Sequence, residues 1–217
     1  MIVITSVLRD EILGAFRELL PVLENGEILK RPYVRGLIGV NEVLLVYGLI
    51  GKVESAMMAQ ALIDRFKPKY FIHCGSAGAI NKERKIGDIV CGTEYIEHDI
   101  SFREKNVRIF KASDVLMERI YDIFNDIKFG VIASGDVFVD SEEEKERIYR
   151  ETNAEVVDMD SAAIAKVCAE NDINFCALKI VVDSSMEGSE IEIKRNLKRL
   201  APFPSAIIAE MLEKHLL

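Results

Sequence analysis

Short apolar runs, several of them rich in Val and Ile, alternate along the chain with longer segments in which apolar residues recur at helical spacing. The runs predicted as strands are residues 1–7, 33–39, 42–48, 70–76, 88–96, 128–134, 154–159 and 175–183. The segments predicted as helices are residues 9–20, 52–66, 113–125, 141–151, 160–170 and 203–216. This alternation predicts an α/β fold, in which a central mixed, twisted sheet is flanked by helices in three layers.

Two local patterns make the prediction more specific. The two strands within residues 33–48 are separated only by a short break at Val40 and Asn41, which predicts an antiparallel hairpin. Ser141 and Glu144 have the spacing of a capping box, in which each side chain binds the other's backbone N–H. A charged, exposed helix is therefore expected to begin at this point.

The composition narrows the class of protein. The chain has 217 residues, of which 49% are hydrophobic and 29% charged, and without a linker or internal repeat we expect one domain over residues 1–217. The net charge of -8 disfavours binding to nucleic acid or to an anionic membrane. No apolar run is long enough to span a bilayer, and the first residues lack the basic start of a secretory signal. A cytoplasmic location is therefore expected.

The thiols and imidazoles do not follow the spacing of metal ligands. The cysteines at positions 74, 91, 168 and 176 include no C-x-x-C pair, so buried free thiols are predicted. The histidines at positions 73, 98 and 215 are widely separated in sequence. Their spacing therefore predicts no metal site.

Small or polar residues follow several predicted strands at their carboxyl ends, where ligands bind in open α/β sheets. These places are residues 8–11, 48–52, 75–79, 134–139, 158–160 and 182–184. The stretch at 75–79 permits either a tight turn or close approach of a ligand to the backbone, and it matches neither a Walker loop nor the GxGxxG fingerprint. The glycine pattern by itself therefore leaves both readings open.

The carboxylates at these places also have two readings. Asp183 either caps a turn or acts as a general acid at the mouth of an apolar strand. Glu11 is explained by the helix dipole alone, because it falls in the first turn of a predicted helix. Asp158 and Asp160 either cap the next helix or contact a substrate.

Seven short motifs are distributed along nearly the whole chain. They are Glu11 after the first strand, G-L-I-G-K, G-S-A-G-A followed by K-I-G-D-I-V, the pair His98 and Asp99, S-G-D-V-F-V, V-V-D-M-D-S-A-A-I-A-K-V-C, and a late strand ending in Asp183. In this order they resemble the nucleoside phosphorylase and nucleosidase superfamily, most closely the 5'-methylthioadenosine/S-adenosylhomocysteine nucleosidases. The resemblance implies hydrolysis of the N-glycosidic bond of a 5'-modified adenosine by a homodimer that uses no cofactor.

The resemblance also implies which residues act on the substrate. Glu11 would deprotonate the attacking water, with Ser76 in the same neighbourhood, and Asp183 would hold or protonate N7 of the purine. Adenine would stack on Phe138 while the backbone of Val139 reads its edge. The other substrate-binding positions are Leu8, Ile50, Ala77, Gly78, Asp158, Met159, Asp160, Lys179 and Val182.

The choice of nucleophile follows from charge. Phosphorylases of this superfamily surround phosphate with arginines, one near the first strand and one before the glycine-serine turn, where this chain has Glu11 and His73. A carboxylate repels phosphate, so water is the expected nucleophile. Arg9 lies close by in sequence, which leaves a phosphorylase as the alternative.

Several positions depart from the nucleosidase pattern. Asp160 stands where Glu is usual and grips the ribose, and the shorter side chain reduces the reach by about 1.5 Å, one carbon–carbon bond. Lys179 replaces an arginine, Val182 replaces a serine, and the segment after Asp99, which shapes the pocket for the 5' group, is shorter. A futalosine-type nucleosidase, or a nucleoside-binding protein that has lost turnover, therefore stays open as an alternative.

Overall fold

A computed structural model describes residues 1–17, 19–100, 108–183, 190–214 and 217. The strands are β1 (Ile2–Ser6), β2 (Val22–Ile28), β3 (Arg31–Ile38), β4 (Asn41–Tyr47), β5 (Tyr70–Ala79), β6 (Ile89–Glu97), β7 (Ile109–Lys111), β8 (Lys128–Ser134), β9 (Ala154–Asp158) and β10 (Asn174–Asp183). The helices are α1 (Arg9–Phe16), α2 (Lys52–Phe66), α3 (Asp114–Ile123), α4 (Glu142–Thr152), α5 (Ser161–Glu170), α6 (Glu190–Leu200) and α7 (Phe203–Glu213).

The strands form one mixed sheet in the order β10-β6-β8-β9-β5-β1-β4-β3-β2, with β7 on β6. Strand β10 also pairs with β5, so that β10, β6, β8, β9 and β5 close on themselves as a barrel. Strand β5 is shared by the two parts of the sheet, because its first half pairs with β1 and its last residues pair with β9. The carboxyl end of β5 therefore lies beside the ends of β1, β9 and β10.

Helices cover both faces of this sheet, and each face has its own apolar core. Helices α1, α3 and α7 pack on one face through residues such as Phe16, Ile120 and Met211. Helices α2 and α5 pack on the other face, where Leu62 and Ile164 are fully buried. The predicted α/β class with a central mixed sheet flanked by helices is confirmed.

The predicted elements are present, with shifts at their ends. The hairpin of β3 and β4 is antiparallel as predicted, but its turn lies at Gly39 and Val40, because Asn41 already pairs with Ile38. Helix α1 ends at Phe16, earlier than predicted, although Leu20 beyond it is still buried. The predicted hairpin and first helix were thus correct in kind and inexact in length.

Three elements were not predicted from the sequence. Strand β2 reads V-L-E-N-G-E-I and is largely exposed, so it lacks the apolar alternation of a half-buried strand and contains an Asn-Gly turn signal. Strand β7 is only three residues long. Helix α6 follows residues 184–189, which lie outside the described part of the chain, as do residues 101–107 of the predicted 5' pocket and His215.

The predicted thiols and membrane behaviour can also be compared with the structure. All four cysteines are free and buried, as predicted. Within the described residues, no helix is long and apolar enough to cross a membrane. The single-domain organisation stays a prediction.

Candidate active site

The end of β1 directs Glu11 into the protein. Helix α1 begins directly after this strand, and the Leu8 N–H donates to Glu11 Oε2 at 2.7 Å. From β5, the Ser76 backbone N–H and hydroxyl donate to Glu11 Oε1 at 3.2 and 3.0 Å. Gly75 permits this approach, because a Cβ there would lie 3.3 Å from Glu11 Oε1. The Glu11 carboxylate is thus fixed against the glycine-serine turn.

Glu11 is buried, with only 1% of its surface exposed. Burial raises the pKa of Glu11 above the ordinary value of 4.5, against the opposing effects of the Leu8 N–H, the Lys179 ammonium and the Ser76 hydroxyl. A carboxylate with a raised pKa is a stronger base than one in water. This environment suits proton abstraction better than it suits a helix cap, which needs no burial.

The junction of β9 and α5 carries a second buried cluster. Asp158 Oδ1 accepts from the backbone N–H groups of Asp160 and Ser161 at 3.2 and 3.3 Å, and the hydroxyls of Ser134 and Ser161 also donate to Asp158. The Lys179 ammonium lies 2.9 Å from Asp158 Oδ2. Asp158 therefore caps the start of α5 and orders this corner of the barrel.

Asp160 faces the same ammonium from the other side. Lys179 Nζ lies 2.8 Å from Asp160 Oδ1, and His73 Nε2 lies 2.9 Å from the same oxygen. Burial opposes both charges, but the Lys179 ammonium and His73 lower the pKa of Asp160, while the carboxylates of Asp158 and Asp160 raise the pKa of Lys179. Asp160 and Lys179 are therefore both held in their charged forms, and the carboxylates of Asp158 and Asp160 each lie beside the Lys179 ammonium.

Asp183 ends β10 at the same place. A register shift between Val181 and Asp183 brings the carboxylate beside Gly78, where a Cβ would lie 3.8 Å from Asp183 Oδ2. Lys145 of α4, which is buried, places its ammonium 3.6 Å from Asp183 Oδ2. No sequence pattern predicted this partner, because α4 reads as a charged, exposed helix.

The loop after β8 carries the predicted adenine-binding residues. Asp136 of this loop accepts from the Lys52 N–H at 2.7 Å and donates its own N–H to Asp99 Oδ2 at 2.9 Å. Lys52 Nζ in turn pairs with Asp99 at 2.6 Å. Phe138 is 60% exposed and Val139 is buried. Asp99 therefore has a structural role, which is to hold this loop to the start of α2.

The remaining predicted positions differ in exposure. Leu8 and Ile50 are exposed at the ends of β1 and β4, whereas Val182 is buried and its carbonyl accepts from Asn196 of α6 at 3.0 Å. Ala77 is buried next to Ser76, and Met159 is partly buried between Asp158 and Asp160. Most of the predicted site residues thus lie at or beside strand ends, whereas Lys179 lies within β10 opposite Gly75.

The structure places the predicted base, Glu11, and the predicted acid, Asp183, against two nearby residues of β5. Glu11 is held by Ser76, and Asp183 lies against Gly78, two residues further along β5. Within the described residues no group of His, Cys, Asp and Glu has the arrangement of a metal site. The fold and the site together define an α/β protein with a pair of carboxylates at the carboxyl edge of its sheet.

The chain belongs to the phosphorylase superfamily, whose family model matches residues 2–213. A 5'-methylthioadenosine/S-adenosylhomocysteine nucleosidase of Thermotoga maritima is 40% identical over 217 residues, which cover 99% of each chain. An aminodeoxyfutalosine nucleosidase of Helicobacter pylori is 27% identical over 228 residues, which cover 94% of this chain and 97% of that protein. The resemblance inferred from the sequence motifs is confirmed.

Solved structures agree with this assignment. The crystal structure of Helicobacter pylori 5'-methylthioadenosine/S-adenosyl homocysteine nucleosidase has a TM-score of 0.90 at 27% identity, covering 98% of this chain and 97% of that one. The native futalosine hydrolase of the same organism also has a TM-score of 0.90, at 26% identity. The roles assigned to individual residues of this chain stay predictions.

Proposed function

We propose that the protein hydrolyses the N-glycosidic bond of a 5'-modified adenosine and releases adenine. The observation that carries this proposal is the placement of Glu11 and Asp183 against Ser76 and Gly78 of β5, one carboxylate buried with a raised pKa and the other beside an ammonium. Cleavage of such a bond needs a base for water and an acid for the leaving purine. Family membership and the nucleosidase relatives support the same activity.

In the proposed reaction, Asp183 donates its proton to N7 of adenine as the bond from C1' to N9 breaks. The leaving base is then neutral, and the positive charge develops on the ribosyl ring. Glu11 accepts a proton from water as the water oxygen bonds to C1', so that one carboxyl group loses a proton while the other gains one. The Ser76 hydroxyl, which donates to Glu11 Oε1 at 3.0 Å, keeps that carboxylate oriented.

The loop held by Lys52 and Asp99 supplies the proposed base-binding surface. The exposed ring of Phe138 offers a flat face for adenine, and the backbone of the buried Val139 offers a fixed donor and acceptor. Met159 would lie against the sugar, and Asp160 would bind its hydroxyls. Leu8 and Ile50, which are exposed, would contact the 5' side of the substrate.

The charges around Glu11 favour water over phosphate as the nucleophile. Lys179 is already paired with Asp158 and Asp160, and Lys145 with Asp183. Arg9 is exposed and lines a groove that α1 forms with β2, β3 and β4. Among the described residues, the carboxylates at this site outnumber the ammonium groups, so a phosphate dianion would be repelled.

A substrate panel tests this function. We expect free adenine from methylthioadenosine, S-adenosylhomocysteine or 5'-deoxyadenosine, at a rate that does not change when phosphate is added. Products separated by chromatography would identify the base and the sugar, and aminodeoxyfutalosine belongs in the panel because a relative carries that name. Formation of ribose 1-phosphate would assign a phosphorylase instead, and tight nucleoside binding without any product would assign a binding protein.

We also propose that the protein is a cytoplasmic homodimer, as the sequence resemblance implies. Large apolar side chains are exposed together near the start of α2 and on the loop joined to it by Asp136. They are Val53, Met57 and Val137, next to the proposed substrate contacts Ile50 and Phe138. A face of this kind on a single chain is typical of a surface that a partner covers.

Sedimentation equilibrium tests the dimer. We expect a species of twice the 24.4 kDa chain mass, and the double variant Val53→Glu/Met57→Glu should shift it to the monomer because two charges would be buried at the contact. Val115→Glu, which changes an exposed apolar residue of α3, serves as the control and should stay dimeric. A wild-type monomer at micromolar concentration would contradict the proposal.

A further inference from the structure

His73 is a buried polar residue in the middle of β5 for which neither the fold nor the proposed chemistry has an obvious need. It is fully buried, with 0% of its surface exposed, between strands β1 and β10. Its Nδ1 lies 2.8 Å from Thr5 Oγ1 of β1, and its Nε2 lies 2.9 Å from Asp160 Oδ1 at the start of α5. Both ring nitrogens are therefore satisfied by side chains from other elements.

The partners determine which ring nitrogen carries the proton. Asp160 is ionised, because the Lys179 ammonium and His73 lower its pKa against the effect of burial, and an ionised carboxylate only accepts hydrogen bonds. Nε2 must therefore be the donor toward Asp160. In the neutral imidazole Nδ1 then accepts from the Thr5 hydroxyl, which fixes both the tautomer and the ring orientation.

Among the described residues, the side-chain donors to Asp160 bind only one of its two carboxylate oxygens. His73 and Lys179 both bind Oδ1, at 2.9 and 2.8 Å, so neither of them occupies Oδ2. A side chain as short as Asp has few rotamers, and two donors on one oxygen fix the direction of the other. The Lys179 ammonium is shared between Asp158 and Asp160, whereas His73 Nε2 binds Asp160 and not Asp158.

We propose that His73 is a positioning residue, which donates its Nε2–H to Asp160 Oδ1 and thereby directs Oδ2 toward a hydroxyl of the substrate ribose. This proposal rests on the proposed nucleosidase function and deepens it, since it assigns recognition of the sugar to a pair of residues. The hydrogen bonds from Thr5 to His73 and from His73 to Asp160 set the position of the short Asp160 side chain. Thr5 acts through His73 and is not itself expected to touch the substrate.

Substitutions that keep or remove the Nε2 donor test this role. Gln places its amide nitrogen at about the distance of Nε2 from the backbone, whereas Asn reaches only as far as Nδ1, and Phe keeps the ring without a donor. The readout is the ratio of kcat/KM for a 5'-modified adenosine to kcat/KM for its 2'-deoxy and 3'-deoxy analogues. Thermal melting of each variant reports its folding separately.

We expect His73→Phe and His73→Asn to lower kcat/KM for the ribonucleoside by about tenfold to a hundredfold, as for loss of a hydrogen bond to a charged group. The value for one deoxy analogue should change by less than about threefold, so the ratio should fall, and His73→Gln should restore most of it. In an Asp160→Asn background, His73→Phe should leave the ratio unchanged, because the two residues act through one contact. Ile72→Ala, a destabilising change at the next buried position of β5, should lower the melting temperature without altering the ratio.

The outcomes separate this inference from the proposed function. If the wild-type protein releases no adenine from any ribonucleoside, the proposed function is wrong. If it does so but does not distinguish the ribonucleoside from either deoxy analogue, Asp160 holds no sugar hydroxyl and the inference is overturned. An unchanged ratio in a folded His73→Phe protein would likewise overturn it, as would a failure of His73→Gln to exceed His73→Asn.

Discussion

Asp183→Asn is expected to lower kcat for adenine release by about 10²- to 10⁴-fold, the usual contribution of a positioned acid. The amide can still donate a hydrogen bond to N7 of the purine, but it cannot transfer a proton to it. Nucleoside affinity should therefore stay close to that of the wild type. Single-turnover kinetics would measure the chemical step, and calorimetry with adenine would measure binding.

Two further variants make the result specific to the proton. Asp183→Asn leaves the buried Lys145 ammonium without its carboxylate, so Asp183→Asn/Lys145→Met should have a turnover as low as the single variant but a higher melting temperature. Asp172→Asn, at an exposed position between α5 and β10, is the matched control and should turn over like the wild type. A single variant with more than about a tenth of wild-type kcat would show that Asp183 is not the acid.

Glu11→Gln is expected to reduce kcat by a similar factor, about 10²- to 10⁴-fold, because the amide cannot accept a proton from water. The Leu8 N–H lies 2.7 Å from Oε2, and the Ser76 donors bind Oε1. In either orientation, the NH₂ group of the glutamine would therefore face a hydrogen-bond donor. Some loss of order at the glycine-serine turn should therefore accompany the loss of the general base. Glu213→Gln, an exposed change on α7, provides the control for stopped-flow or single-turnover assays.

The pH profile gives an independent check on Glu11. The base must be ionised to act, and burial raises its pKa above 4.5, so kcat/KM should fall as the pH is lowered through that raised value. The acid limb of the wild-type profile should therefore lie above pH 4.5 and should disappear from the residual activity of Glu11→Gln. An acid limb that persists unchanged in the variant would assign the base to another group.

Several features of this site could be predicted without coordinates because they depend on short stretches of sequence. Glu11 and Asp183 each follow an apolar strand, where ligands bind in such sheets, but their roles as base and acid came from the resemblance of the motifs to the nucleosidases. A capping role was one of the two readings for Asp158, which lies just before α5, and Asp158 accepts from the backbone N–H groups of Asp160 and Ser161. Ser141 likewise accepts from the Glu144 N–H at the start of α4.

Other features depend on pairs of residues that no local pattern connects. Asp160 was predicted to grip the ribose, but no local pattern predicted that only 2% of its surface is exposed and that it pairs with Lys179 and His73. Lys145 was read as part of an exposed helix, yet it is buried against Asp183. The expected exposure of Lys145 was wrong, because a charged residue is buried only where the fold supplies a partner.

The sequence by itself determined the α/β class, the main strands and helices, the superfamily and the strand ends at which the site lies. These follow from periodicity and from motifs, which are properties of neighbouring residues. The tertiary structure alone decided that β10 returns to β5 and closes the barrel, and that residues as far apart as His73 and Asp160, 87 positions along the chain, share a hydrogen bond. Such contacts arise from strand pairing and helix packing, so the burial that raises the pKa of Glu11 and the orientation of Asp160 become visible only in the folded protein.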